Sequence, residues 1–193
     1  MSNKRLIVGV SGASGVIYGV RLLELLKDTD IETHLVMSKA ARLTLGYETS
    51  YSVNDVKGLA DEVHNIDDIG ASISSGSFKT MGMIIAPCSV KTMSEVATGC
   101  TSNLLTRSAD VVLKERRRLV MMVRETPMHV GHLRSMLTVS EMGAIVYPPV
   151  PAFYAKPQTL EDMVDHSIGR ALDLFDIEVG AVRRWNEMLE KAV

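Results

Sequence analysis

Several short segments of this sequence carry residue types that could hold an anion and move a proton. Gly9-Val10-Ser11-Gly12-Ala13-Ser14-Gly15 follows a short apolar run and precedes a helical pattern. Glycines let a backbone turn sharply and approach a ligand closely. The amides that open a helix then face an anion, helped by the helix dipole. Ser11 and Ser14 add hydroxyl donors, so the loop reads as a phosphate cradle. It is not the dinucleotide fingerprint, because Ser11 replaces the second glycine and no acid clearly ends the next strand. It is not a Walker loop, which needs GK[ST]. A mononucleotide site fits best, with a purely structural turn as the plain alternative.

Ser89-Val90-Lys91-Thr92 offers a second helix start with two hydroxyls, for another phosphate or polar ring atoms. Arg124-Glu125 stands at the end of another apolar run. An arginine fork grips phosphate in a bidentate way, and a carboxylate beside it could pass a proton to a leaving phosphate. The bland reading is a surface ion pair. His129 and His132 invite a metal reading, but no HExxH pattern or third ligand accompanies them, and no metal is expected. Cys88 and Cys100 lack CxxC spacing and a base partner; both are expected to be free thiols.

The elements that position these segments follow from hydrophobic periodicity. Strands are expected at Leu6–Val10, Thr33–Met37, Met81–Ala86, Leu119–Val123 and Ala144–Tyr147. Helices are expected at Val16–Leu26, Ser38–Tyr47, Ser89–Thr98, Asn103–Glu115, His132–Met142, Thr159–Phe175 and Val179–Lys191. Asn65–Phe78 is the least regular stretch. Apolar strands alternating with amphipathic helices imply a three-layer α/β fold of the Rossmann-like or flavodoxin-like kind, a parallel sheet with helices on both faces. One domain over residues 1–193 is expected. In such sheets ligands sit beyond the carboxyl ends of the strands, where the segments above gather.

The chain has 193 residues, 46% hydrophobic and 23% charged, the balance of a globular protein. No apolar run approaches membrane-spanning length, and no signal-peptide pattern opens the chain, so a cytoplasmic protein is expected. A net charge of −2 argues against general nucleic-acid binding. The stretch from Leu104 to Arg124 nevertheless holds six cations (Arg107, Lys114, Arg116, Arg117, Arg118, Arg124) against two anions (Asp110, Glu115), a net of +4. That suits a small anionic ligand.

Six segments in the same order and spacing resemble the flavin prenyltransferase family, the UbiX-like partners of UbiD-type decarboxylases. They are Val10–Gly15, Met37–Ala40, Pro87–Ser89 with Thr92, Arg107–Arg116, Val123–Pro127 and Pro151–Tyr154; Gln158 to Arg170 also fits. The resemblance implies a homododecamer that alkylates reduced FMN with dimethylallyl phosphate, without a metal. It implies that Gly12, Ala13, Ser14, Ser38, Ser89, Val90, Lys91, Thr92, Arg107 and Arg124 hold FMN. Lys114, Arg124, Glu125, Tyr154 and Arg170 would hold the prenyl phosphate, partly across subunits. Ser14, Glu48, Glu125 and Lys114 would be catalytic, with Glu125 the acid toward phosphate and Ser14 and Glu48 steering protons near flavin N5.

One departure stands out. Many relatives carry a Trp in the loop before the third strand; here Ile69 lies about there and the only Trp is Trp185. That points the prenyl pocket toward the branch serving phenolic-acid decarboxylases. Two other activities compete. A cysteine-peptide-type flavin decarboxylase needs a histidine after the second helix, where this chain has Tyr47-Glu48-Thr49. A non-catalytic flavin carrier would not need Lys114, Glu125 and Arg170 to converge on a second anion.

Overall fold

The computed structural model describes residues 4–184. Six strands, β1 Lys4–Val10, β2 Ile31–Met37, β3 Glu62–His64, β4 Gly82–Cys88, β5 Arg118–Val123 and β6 Ile145–Val146, form one sheet in the order β3-β2-β1-β4-β5-β6. Every neighbouring pair is parallel. The helices are α1 Ile17–Leu26, α2 Lys39–Glu48, α3 Val53–Lys57, α4 Val90–Ala97, α5 Leu104–Lys114, α6 Val130–Glu141 and α7 Leu160–Asp173. This is the expected α/β architecture, and its strand order is that of a doubly wound dinucleotide fold.

Alternate residues of each strand feed two cores. Leu6, Val8, Val10, Leu35, Ile84, Val120 and Met122 join α1 and α7 residues on one face. Ile7, Val36, Met83, Ile85, Leu119 and Met121 join α4 and α5 residues on the other. With both faces covered, β1 and β4 must read as unbroken apolar runs. The order reverses between β1 and β4, so their carboxyl ends form the crevice where such folds take ligands.

Differences from the expected elements have local causes. The third expected strand runs on through Pro87 to Cys88, its pairing with β5 shifting register between Ile85 and Cys88. The Asn65–Phe78 stretch holds a single 3-10 turn, Ser72–Ser74. β3 and α3 are too short to show a period. The sixth helix starts at Val130 rather than His132, because His129 caps it by accepting from the Gly131 amide at 3.0 Å through Nδ1. The last expected helix begins with no helix over Val179–Arg184, and its remainder lies outside the described residues.

Candidate active site

The crevice is first of all stapled shut at its base. Ser11 is 1% exposed. Its hydroxyl donates to the Pro87 carbonyl at 3.0 Å and accepts from the Ser89 amide at 2.7 Å. Its own amide also donates to Pro87. Ser11 therefore joins the ends of β1 and β4 and does not serve as the ligand donor expected of it.

The loop beyond Ser11 already holds an anion. Gly15, at φ +95°, turns the chain into α1. The Gly15 and Val16 amides donate to one oxygen of Glu48, Oε2, at 2.8 and 3.2 Å. Desolvation pushes the Glu48 carboxyl up, but the Ser14 hydroxyl, these two amides and the nearby Arg124 charge outweigh it and hold the carboxyl below its ordinary value. Glu48 is thus ionised at neutral pH and receives the Ser14 hydroxyl as a donor. Two amides expected to meet a phosphate are taken by the protein's own carboxylate. Gly12 is needed for closeness: a Cβ there would lie 2.3 Å from Cβ of Ala40 in α2.

Beside this loop lies a cleft of about 450 Å³, lined among others by Gly12, Ala13, Ser38, Ser89 and Arg124. The starts of α2, α4 and α5 lie on it, and the first two leave amides open. Ser38 caps α2 by accepting from the Ala41 amide at 3.0 Å, and Ser89 caps α4 by accepting from the Thr92 amide at 3.2 Å. The Ser89 hydroxyl itself donates to the Thr92 hydroxyl oxygen. The first amides of each helix, at Lys39 and Ala40 and at Val90 and Lys91, have no intrahelical acceptor and belong to cleft-lining residues. Neither helix has an acid in its first turn. The cleft is consequently electropositive at two helix ends, with Arg124 added. Glu125 lines it too, with Oε1 accepting from the Thr126 amide at 3.0 Å. Ile66, Asp67, Asn103 and Leu105 complete the wall, and the residues alone did not single them out. Ile66 comes from the irregular stretch and is tied down by the Leu104 amide, which donates to its carbonyl at 2.9 Å.

Other expected site residues stand apart from this cleft within one chain. Arg107 donates to Asp110 at 2.8 Å. Lys114 pairs with Glu115 at the end of α5, four residues before β5 begins, so it lies by the amino ends of the strands, away from the cleft at their carboxyl ends. Arg170 pairs with Asp173 at 2.6 Å. Tyr154 packs edge-on against His166, beside a smaller cavity of about 170 Å³ that His166 and Arg183 help to line. Ile69 is exposed and absent from the cleft wall.

The remaining candidates do not line the cleft. The His129 and His132 rings stack 3.7 Å apart. Among the described residues no group of three or more His, Cys, Asp and Glu could hold a metal ion. Burial pushes the Cys88 thiol far up, so it is no nucleophile. No described helix is long and apolar enough to cross a membrane.

Comparison with known proteins sets this geometry in context. Residues 1–191 match the family described as Flavoprotein. The chain is 62% identical over 175 residues to the flavin prenyltransferase UbiX of Escherichia coli strain K12, which spans 90% of this chain and 93% of that protein. Its fold superposes with a TM-score of 0.94 on a crystal structure of AnUbiX in complex with FMN and dimethylallyl pyrophosphate, at 51% identity, covering 95% of this chain and 98% of the other. A dodecameric FMN-dependent UbiX-like decarboxylase from Escherichia coli O157:H7 superposes at 0.92 with 50% identity, covering 94% and 98%.

Proposed function

The chain belongs to the flavin prenyltransferase family, and from that membership we propose that it joins the dimethylallyl group of dimethylallyl phosphate to N5 and C6 of reduced FMN. The observation that carries this is the cleft, whose size suits a flavin nucleotide and whose electropositive helix starts suit its phosphate. Leu105, Ile66 and Val90 supply apolar wall for a ring. Bound there, reduced FMN supplies an electron-rich edge for alkylation. Because Glu48 occupies the Gly15 and Val16 amides that lead into α1, the phosphate falls to the starts of α2 and α4, and the Gly12–Gly15 loop meets the ring.

The prenyl substrate loses its allylic C–O bond, releasing inorganic phosphate. Arg124 neutralises the developing charge and Glu125 passes a proton to the leaving phosphate. Glu48, held ionised, keeps the Ser14 hydroxyl oriented and acts as a proton acceptor near the reacting edge. Lys114, Tyr154 and Arg170 complete the phosphate site, in part from neighbouring subunits; the position of Lys114 by the amino ends of the strands supports that division. Assembly is supported by an apolar stripe on α6, where Val130, Leu133 and Leu137 are 60%, 52% and 60% exposed at helical spacing. A dodecamer like that of the relative is proposed, in the cytoplasm, as one domain. The product is handed to a UbiD-type decarboxylase. The cysteine-peptide decarboxylase alternative is disfavoured, since α2 ends on Glu48 and offers no histidine there.

The test is to mix photoreduced protein-bound FMN with dimethylallyl phosphate without oxygen and weigh the extracted flavin. A mass equal to FMN would sink the proposal. Glu125→Gln is expected to keep FMN bound while turnover falls by about 10²–10⁴-fold, the usual worth of a proton donor. Loss of FMN itself would show that Glu125 belongs to the flavin site instead.

A further inference from the structure

One charged pair on the cleft wall stands apart from the residues assigned to the flavin and the prenyl phosphate. Lys39 opens α2, and its Nζ lies 3.0 Å from Oδ2 of Asp67, in the stretch after β3. Both residues line the cleft. Both are largely solvated, the side chains being 74% and 61% exposed. A cation at the first position of a helix stands at the wrong end of its dipole, and α2 has no acid in its first turn to compensate. Asp67 supplies that negative charge from outside the helix. Such an exposed pair favours its closed form by no more than about five-fold.

The other cations of the cleft differ. Lys91 is held by Glu95, a carboxylate only 16% exposed that also accepts from the Ser102 hydroxyl. Arg124 acts on Glu48 through space. Only the Lys39 pair is both on the wall and cheap to open.

We infer that Lys39 is a further binding residue of this cleft, taking the flavin phosphate, and that Asp67 is a built-in stand-in for that phosphate. The inference rests on the flavin site proposed above. A phosphate monoester brings close to two negative charges where Asp67 brings one, so Lys39 changes partner and the released carboxylate returns to water. No covalent bond changes. β1 separates β2 from β4, so α2 and α4 start about 10 Å apart, twice the spacing of adjacent strands. A lysine on its flexible stem can reach from one start toward an anion seated near the other.

The experiment compares FMN with riboflavin, which has the same ring and no phosphate, by fluorescence titration of the wild-type protein, Lys39→Met and Asp67→Asn, each checked for fold by circular dichroism. Lys39→Met should weaken FMN about five- to ten-fold and leave riboflavin nearly unchanged. Asp67→Asn should tighten FMN by up to about five-fold, again without moving riboflavin, and added salt should erase that gain. Loosening of both flavins by Asp67→Asn would overturn the inference, since the pair would then be a strap across the mouth. Equal loss of both flavins in Lys39→Met would overturn it as well. A wild-type protein that binds neither flavin would refute the flavin site itself, and this inference with it.

Discussion

Replacing Glu48 tests whether its carboxylate organises the loop that opens α1. Both amide bonds fall on one oxygen, at 2.8 Å from Gly15 and 3.2 Å from Val16. Glu48→Ala removes that acceptor entirely. Loss of a helix cap costs about 0.5–2 kcal/mol, and partial solvation here puts the expected value near 1.5. Glu48→Gln keeps an oxygen that can take both amides and loses only the charge. The ionic part of such bonds and the dipole interaction amount to about 0.5–1 kcal/mol at a solvated site. The order Ala worse than Gln is therefore the signature. The pH dependence has a definite sign. The folded carboxyl sits below its usual value of 4.5, so its stabilisation is present above pH 4.5 and is lost as pH falls through the folded value. The gap between wild type and Glu48→Gln should thus shrink in acid. Urea midpoints at pH 7 and at about pH 3.5, at fixed subunit concentration, measure both effects. Equal losses for Gln and Ala, or a gap that ignores pH, would refute the capping argument.

Other perturbations are equally specific. Ser11→Ala should cost about 1–3 kcal/mol in urea unfolding, because it strips the acceptor from the Ser89 amide at a site 1% exposed; unchanged stability would remove its role as the staple. Gly12→Ala should push the start of α2 outward, costing about 1–3 kcal/mol and weakening flavin binding, since its Cβ would stand 2.3 Å from Ala40. The double variant Gly12→Ala, Ala40→Gly should recover much of both losses. Acid should destabilise the β2–β3 edge. Burial lowers the pKa of His34 and of His64, whose rings share a 3.0 Å contact. The unfolded chain then binds more protons, so stability is full above about pH 6.5 and falls below it; melting temperatures between pH 8 and 5.5 should show this slope, and His64→Phe should flatten it.

What could be read from the sequence divides along physical lines. β1, β4 and β5 were legible because burial on both faces forces continuous apolar runs. The helix starts at Ser38, Ser89 and Thr159 were legible because capping residues announce them locally, and all three side chains accept from first-turn amides. β3, three residues at the sheet edge, and α3, five residues long, leave no periodic trace. The cleft was legible as a set of strand ends, but its wall was not. Lys39 meets Asp67 across 28 positions of sequence, and Glu48 meets Gly15 across 33. Side-chain pairings at such separations depend on the packed backbone and leave no spacing to recognise. Ser11 shows the same limit in reverse: its type suggested a ligand donor, and only its burial reveals that both hydrogen-bonding capacities are spent within the protein.

The Gly9–Gly15 loop therefore changes meaning. Helices α1, α2 and α4 follow β1, β2 and β4 onto the ligand rim, and each of their positive ends is met in a different way. At α1 the counter-charge is Glu48, held by two amides and the Ser14 hydroxyl. Displacing a carboxylate held by three donors would require an incoming phosphate to replace all three bonds at once. At α2 the counter-charge is Asp67, held by one solvated lysine, and it can leave at little cost. At α4 the first amides have no carboxylate in front of them among the described residues. A phosphate entering this rim meets the least competition at α4, then α2, and the most at α1. The glycine-rich loop is consequently the part of the cradle best suited to an uncharged surface. Its glycines serve close approach to a flat ring, and Ser14, with its proton given to Glu48, presents hydroxyl lone pairs rather than a donor to whatever lies against it.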